Sequence, residues 1–284
     1  MTAIEDCIAG CISPEVGVAR LLLAGLDAAG IRGALDRAGP HPAVNAMRAL
    51  LAGRAAMLDG LSAEVKATHA RHDASGPTPA EGIAVIAGFF DDAVRHSPEA
   101  SVALYSLGDP LILAAATAEI VAWLHAEGLL PPGADVLDVG CGIGRVAAAL
   151  APRCRSVLGL DVSAGMVGEA RRRLADHPNV RISLTSGEDL DAVETAAFDL
   201  VLAIDSFPYI VQTGPETALR HVRGAARALR PGGALCILNL SFRCDPAQDR
   251  ADAIGWAADS GMHMTHDGGR PFRLWDGTAF VLRA

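Results

Sequence analysis

Apolar positions recur at helical spacing through the first 75 or so residues, in Ala- and Leu-rich segments around Val16–Ala29, Val44–Leu58 and Leu61–Ala70. Pro or Gly-Pro breaks separate them, and the pattern predicts helices throughout. Asp73–Pro79, D-A-S-G-P-T-P, reads as a linker. Helical spacing resumes over Ala80–His96, after Pro98, and over Leu111–Glu127. From Ala134 the pattern changes: short apolar runs at Val136–Val139, Ser156–Leu160, Val180–Leu184, Phe198–Ile204 and Ala234–Leu240 alternate with helical segments at 144–151, 164–176, 215–229 and 246–260. Such alternation predicts an α/β unit with a parallel sheet covered on both faces. Gly261–His266 and Gly277–Arg283 add two further strands.

The first run leads into V-L-D-V-G-C-G-I-G-R, Val136–Arg145, which puts Asp138 two positions ahead of Gly140, Gly142 and Gly144 at a strand-to-helix turn. Glycines there let the backbone approach a ligand closely, and a helix N-terminus follows. The dinucleotide fingerprint is G-x-G-x-x-G, whereas this loop reads G-x-G-x-G. It resembles the first motif of the class I S-adenosylmethionine-dependent methyltransferases. A cationic amino-acid tail would favour Asp138, and a pyrophosphate would not. About 20 residues after Gly140 the second strand ends at Asp161, the position of a ribose acceptor in both cofactor classes.

Other segments keep the family's order. Val162–Met166, V-S-x-x-M, resembles its second motif, which implies Met166 against adenine. Ser186–Leu190, S-G-E-D-L, resembles its adenine-contacting segment, which implies contacts from Glu188, Asp189 and Leu190. Leu229–Gly233, L-R-P-G-G, resembles the signature ahead of strand five; proline and glycine there end a helix. The resemblance covers roughly residues 111–284. It implies a Rossmann-like, doubly wound seven-stranded sheet with an antiparallel last strand inserted between strands five and six, preceded by an N-terminal helical region over 1–110 that serves as a lid or accessory unit. The implied cofactor is S-adenosyl-L-methionine, bound by Asp138, Gly140, Gly142, Gly144, Asp161, Val162, Met166, Glu188, Asp189, Leu190 and Asp205.

Composition narrows the partners. A formal charge of -9 over 284 residues disfavours nucleic acid, and the basic run Arg171–Arg173 reads as a solvated helix face. The longest apolar stretches, such as Leu111–Ala118, fall far short of the ~20 residues that span a bilayer. Glu5 and Asp6 interrupt any secretory signal, so a cytoplasmic location is expected. The six cysteines show no C-x-x-C spacing, indicating neither zinc nor a disulfide framework. His69, His72 and Asp73 lack a fourth ligand; His263 and His266 point to opposite faces if they lie on a strand. No metal is expected. The acceptor is expected to be a small molecule, with a homo-oligomer left open.

Ligands of open parallel sheets bind beyond the carboxyl ends of the strands. The loops leaving those ends carry Asp205, Phe207 and Tyr209, then Ser241, Phe242 and Arg243, then His266, Phe272 and Trp275. Asp205, Tyr209 or His266 could relay a proton from an acceptor hydroxyl. Tyr105, Phe207, Arg243 and Trp275 are candidate acceptor contacts: Arg243 as a guanidinium anchor or the surface partner of Asp245, and Tyr105 with Asp109 as lid residues or simple packing and cap. Arg145, at a helix start, either meets an acidic partner or faces water. Two rival functions stay open: a nicotinamide-dependent oxidoreductase and a non-catalytic S-adenosylmethionine-binding module.

Overall fold

A computed structural model describes residues 2–69, 78–243 and 245–284. The chain opens with α1 (Ala3–Ile8), α2 (Pro14–Leu23), α3 (Ala28–Ala38), α4 (Pro42–Leu51) and α5 (Ala55–His69). Each start of the first four is capped by a side chain: Thr2 in a capping box with Glu5, then Ser13, Asp27 and His41. The periodicity of Val16–Ala29 and Val44–Leu58 predicts two unbroken helices, but Gly25 (φ 85°) and Gly53 (φ 73°) turn the chain in the left-handed region and split both.

Next come α6 (Pro79–His96), α7 (Pro98–Val102) and α8 (Pro110–Ala126). The chain packs as two units. The first comprises residues 1–73, 97–119 and 272–276; the second comprises 74–96, 120–271 and 277–284. This division differs from a boundary at residue 110: α6 belongs with the sheet, and a short segment from near the C-terminus belongs with the helices. The first unit is built on the fully buried Leu22, Ile31, Leu35, Met47 and Leu58.

In the second unit the strands are β1 (Asp135–Val139), β2 (Ser156–Asp161), β3 (Val180–Leu184), β4 (Phe198–Ile204), β5 (Leu229–Leu238), β6 (His263–Gly269) and β7 (Ala279–Arg283). Their order is β3-β2-β1-β4-β5-β7-β6. The first five pair in parallel, and β7 runs antiparallel to both β5 and β6. β1 is buried along its whole length, as a central strand covered on both faces must be. Connecting helices are α9 (Arg145–Leu150), α10 (Ala164–Arg173), α11 (Phe207–Gln212), α12 (Pro215–Ala228) and α13 (Pro246–Asp259). One face of the sheet closes over Val201, Phe207, Val222, Ile237, Trp256 and Phe280.

The L-R-P-G-G segment does not simply precede β5; its first residue, Leu229, is already paired. Phe198 faces Leu229 and Leu200 faces Ala234, so residues 230–233 bulge out of the ladder. Arg230 turns back to bind Asp199 and Asp135 at 2.8 Å each, tying the bulge to the amino end of β1.

Candidate functional site

The strand order reverses at β1 and β4, where the loops leaving the sheet diverge and leave a crevice. Glycine is required on the β1 side. Gly140 sits at φ 73°, and a Cβ there would lie 2.2 Å from that of Ser206. Gly144 sits at φ 77°, and its Cβ would lie 2.5 Å from Leu174 Cδ1. The loop is thus folded against the chain leaving β4, where Ser206 Oγ donates to the Val139 carbonyl at 2.5 Å.

Two carboxylates frame this loop. Asp138 is 2% exposed and its Oδ2 has no hydrogen-bond partner. Burial pushes its carboxyl up to about 7, against the opposing pull of Arg145, with Asp161 adding a smaller upward push. Asp161, at the tip of β2, is raised by burial and held back by the backbone N–H groups of Ser163, Gly142 and Val162. Gly142 donates to it at 2.8 Å and Ser163 at 2.9 Å. Gly142 and Ser163 thus take two of a carboxylate's about four lone-pair positions, leaving about two for the donors of a ligand.

On the β4 side Asp205 adopts φ 57° and on the β5 side Asn239 adopts φ 71°, both left-handed without being glycine. Such strain persists where surroundings over-determine it, commonly at functional sites. Asn239 Nδ2 donates to Asp205 Oδ1 at 3.3 Å, and the Arg145 guanidinium, its side chain 8% exposed, lies 4.0 Å from Asp205 Oδ2. Arg145 therefore meets an acidic partner. Tyr209 is packed edge-on between Phe90 of α6 and Phe242. Burial, helped by Asp205, pushes its phenol well above the usual range, so the hydroxyl stays protonated near neutral pH.

The sequence shows α6 as a helix over Ala80–His96 but gives it no place beside the site. Its Asp91 accepts the Ser163 hydroxyl at 2.6 Å and the Gly165 N–H at 2.7 Å, capping α10 just beyond Asp161. Gly165 and Gly187 are the sequence signals: a Cβ at 165 would meet Asp91 and Val94 at 3.0 Å, and one at 187 would meet Val162 at 2.5 Å and Ile83 at 3.2 Å.

Several expected site residues lie elsewhere or are otherwise engaged. Phe207 is 2% exposed and packs on Trp256 in the core, because α11 turns it inward. Leu190 is 3% exposed and buried against Gly224, so only its backbone faces outward tasks, and its carbonyl accepts Arg227. His266 sits mid-strand on β6, level with Val281, three strands from β4 and so roughly 14 Å away at ~4.8 Å per strand; it contacts Glu127 and Trp123. Trp275 is 2% exposed and stacks with Phe272 within the first unit, where Tyr105 is also buried. Arg243 pairs not with Asp245, which caps α13, but with Asp249 and Asp252 at 2.7 Å each. Asp109 caps α8 through the Leu111 N–H and pairs with Arg54. Met166 is buried on α10, Val162 and Asp189 are half-buried, and Glu188 is exposed on the S-G-E-D-L turn.

Among the described residues no cluster of His, Cys, Asp or Glu is suited to a metal ion, and no helix is long and apolar enough to cross a membrane. The His72 and Asp73 grouping and the His69 side chain lie outside the described residues.

Residues 136–233 match the model of the methyltransferase domain. A ubiquinone biosynthesis O-methyltransferase of Azoarcus sp. (strain BH72) is 35% identical over 114 residues, 39% of this chain and 47% of that protein. An S-adenosyl-L-methionine-dependent Diels-Alderase, iccD, of Talaromyces variabilis is 29% identical over 136 residues, 46% of this chain and 44% of that protein. The chain spans about half the length of the curated relatives it matches. Among solved structures, phosphoethanolamine N-methyltransferase 1 of Haemonchus contortus shares the fold at a TM-score of 0.53 and 18% identity, covering 72% of this chain and 49% of that one.

Proposed function

We propose, from the match of residues 136–233 to the methyltransferase-domain model, that this chain is an enzyme using S-adenosylmethionine to methylate a small-molecule acceptor. The observation that carries this reading is Asp138: a buried carboxylate with an unpartnered oxygen, under a glycine loop closed to any side chain, suits a cationic amino-acid tail. Asp161, Val162, Met166, Glu188 and Asp189 would hold the nucleoside end. When bound, the donor supplies an electrophilic methyl on a sulfonium that departs as a neutral thioether.

The residues of the crevice supply position. Asp138 fixes the tail, Asp205 is oriented by Asn239 and Arg145 at the rim, and Tyr209 offers a protonated hydroxyl. Holding donor and acceptor in line can contribute about 7–11 kcal/mol in favourable cases, so a dedicated base is optional. The named activity of the Azoarcus relative makes oxygen the acceptor atom to test first. A cytoplasmic setting suits this reading.

Isothermal titration with S-adenosylhomocysteine tests it. Binding is expected, and Asp161→Ala should weaken it at least ten-fold; NADH should not bind. Absence of binding by wild type would remove the reading. A bound donor without any methylated product from a metabolite extract would favour a binding module or the non-methyl chemistry named for the Talaromyces relative.

A further inference from the structure

We infer that the acceptor is a planar aromatic compound held against Phe90, Tyr209 and Phe242; this rests on the methyltransferase reading and adds the substrate class. The chain is poor in aromatic residues, with seven Phe, three Trp and two Tyr in 284. Yet three separate elements bring a ring each to one rim: α6, α11 and the loop after β5. The Phe90 and Tyr209 centroids lie 5.0 Å apart at 78°, and those of Tyr209 and Phe242 5.1 Å apart at 80°. Phe89 extends the series, 5.0 Å from Phe90 at 66°.

Core packing alone does not account for this arrangement. Phe242 is 44% exposed, whereas the rings that do serve the core, Phe207 and Phe280, are each 2% exposed. Successive edge-on rings also present faces and edges in alternation, which a further planar ring can meet edge-to-face or offset.

Placement follows from α6. Asp91, the residue after Phe90, is bonded to Ser163 and Gly165, and the missing side chains of Gly165 and Gly187 are replaced by Asp91, Val94 and Ile83. The helix carrying Phe90 is therefore locked to the loop beyond Asp161 and to the S-G-E-D-L turn. The aromatic wall and the donor end form one construction.

Charge points the same way. Arg243 follows Phe242 directly, but its guanidinium is turned onto Asp249 and Asp252 of α13. That loop therefore offers an acceptor a ring face in preference to a guanidinium anchor. Tyr209, kept protonated by burial, can donate a hydrogen bond to an acceptor oxygen.

The test uses the full chain with and without saturating S-adenosylhomocysteine, and three probes: 2-naphthol, cyclohexanol and octanoate. Fluorescence titration and saturation-transfer NMR read affinity. We expect 2-naphthol to bind at least ten-fold more tightly than either other probe. Phe242→Ala and Phe90→Leu should each weaken 2-naphthol at least ten-fold while leaving the S-adenosylhomocysteine Kd within two-fold. Equal affinity for cyclohexanol, preference for octanoate, or indifference to both substitutions would overturn the assignment. Should Phe90→Leu fail to fold, Phe242→Ala and Phe242→Leu at the exposed rim decide alone. Failure of wild type to bind S-adenosylhomocysteine would count against the methyl-donor reading itself, separately from the ranking of the probes.

Discussion

Asp135 and Asp138 lie three residues apart on the same buried strand and have opposite fates. Asp135, at the amino end, accepts from Arg155, Arg230 and Ser156, and those contacts hold its carboxyl well below the usual range. Asp138, near the carboxyl end, has an oxygen with no partner, and burial raises it to about 7. A buried charge that is paired locks structure; one left short of a partner lowers stability in the free chain and waits for a counter-ion. On the proposed reading, the contrast separates the two ends of a parallel sheet into an architectural edge and a binding edge.

The sharpest way to break the comparison is Asp138→Asn. Removing the charge that would meet the donor's ammonium should weaken S-adenosylhomocysteine binding at least a hundred-fold, consistent with the about 3–5 kcal/mol lost when one partner of a buried pair is removed. Calorimetry would show it, and binding within ten-fold of wild type would refute the role. In wild type the donor should bind more tightly as pH rises through about 7, because ionised Asp138 is the binding form. The free chain should do the reverse. Its Asp138 pKa lies above the unfolded value of ~3.9, so the folded state holds the extra proton and loses stability as pH climbs from about 4 to 7. Asp138→Asn should flatten both trends.

Gly140→Ala tests whether the binding edge tolerates a side chain. Positive φ and the 2.2 Å approach to Ser206 Cβ should together reduce stability by about 2–4 kcal/mol. Ser206→Gly in the same chain should restore roughly half, since it relieves the contact and not the φ. Thermal melts read both, and no rescue would mean that φ alone sets the loop.

Asp135→Asn probes the opposite edge. Loss of charge-assisted bonds should destabilise by about 1.5–3 kcal/mol while leaving donor affinity unchanged. Its folded pKa is depressed, so this stability is present above the unfolded pKa of ~3.9 and fades as acid protonates the folded carboxyl. An effect on donor binding would blur the division between edges. The smallest effect is expected at Asp205→Gly: relief of a left-handed φ should raise stability slightly, by about 0.5–1 kcal/mol, while turnover falls. A gain in both would exclude Asp205 from the site.

The glycine loop and the strand-tip aspartate were legible because local chemistry dictates them: glycines at positive φ and an aspartate closing a strand must occur in sequence order. The strand alternation and the antiparallel position of β7 were likewise readable, the latter through the family resemblance. The acceptor end was not, since it depends on which way side chains turn after they leave the sheet. Phe207 and Tyr209 are two residues apart on a predicted loop, yet α11 buries one and leaves the other between Phe90 and Phe242. Arg243 likewise selected carboxylates on the following helix over adjacent Asp245. Placing α6 against α10 required recognising that Gly165 and Gly187 lack side chains because another helix fills the space.

The insertion of β7 between β5 and β6 has a consequence for folding order. Residues 263–269 emerge from the ribosome before 279–283, and among the described residues β6 has no ladder partner other than β7. Until that last strand docks, both edges of its future slot expose unpaired backbone, the open template on which aggregation proceeds. His263, Thr265 and Asp267, all outward-facing on β6, keep the waiting strand polar on one face through that interval. A nascent chain stalled short of residue 279 should therefore hold a five-stranded parallel sheet beside a tethered, water-compatible segment.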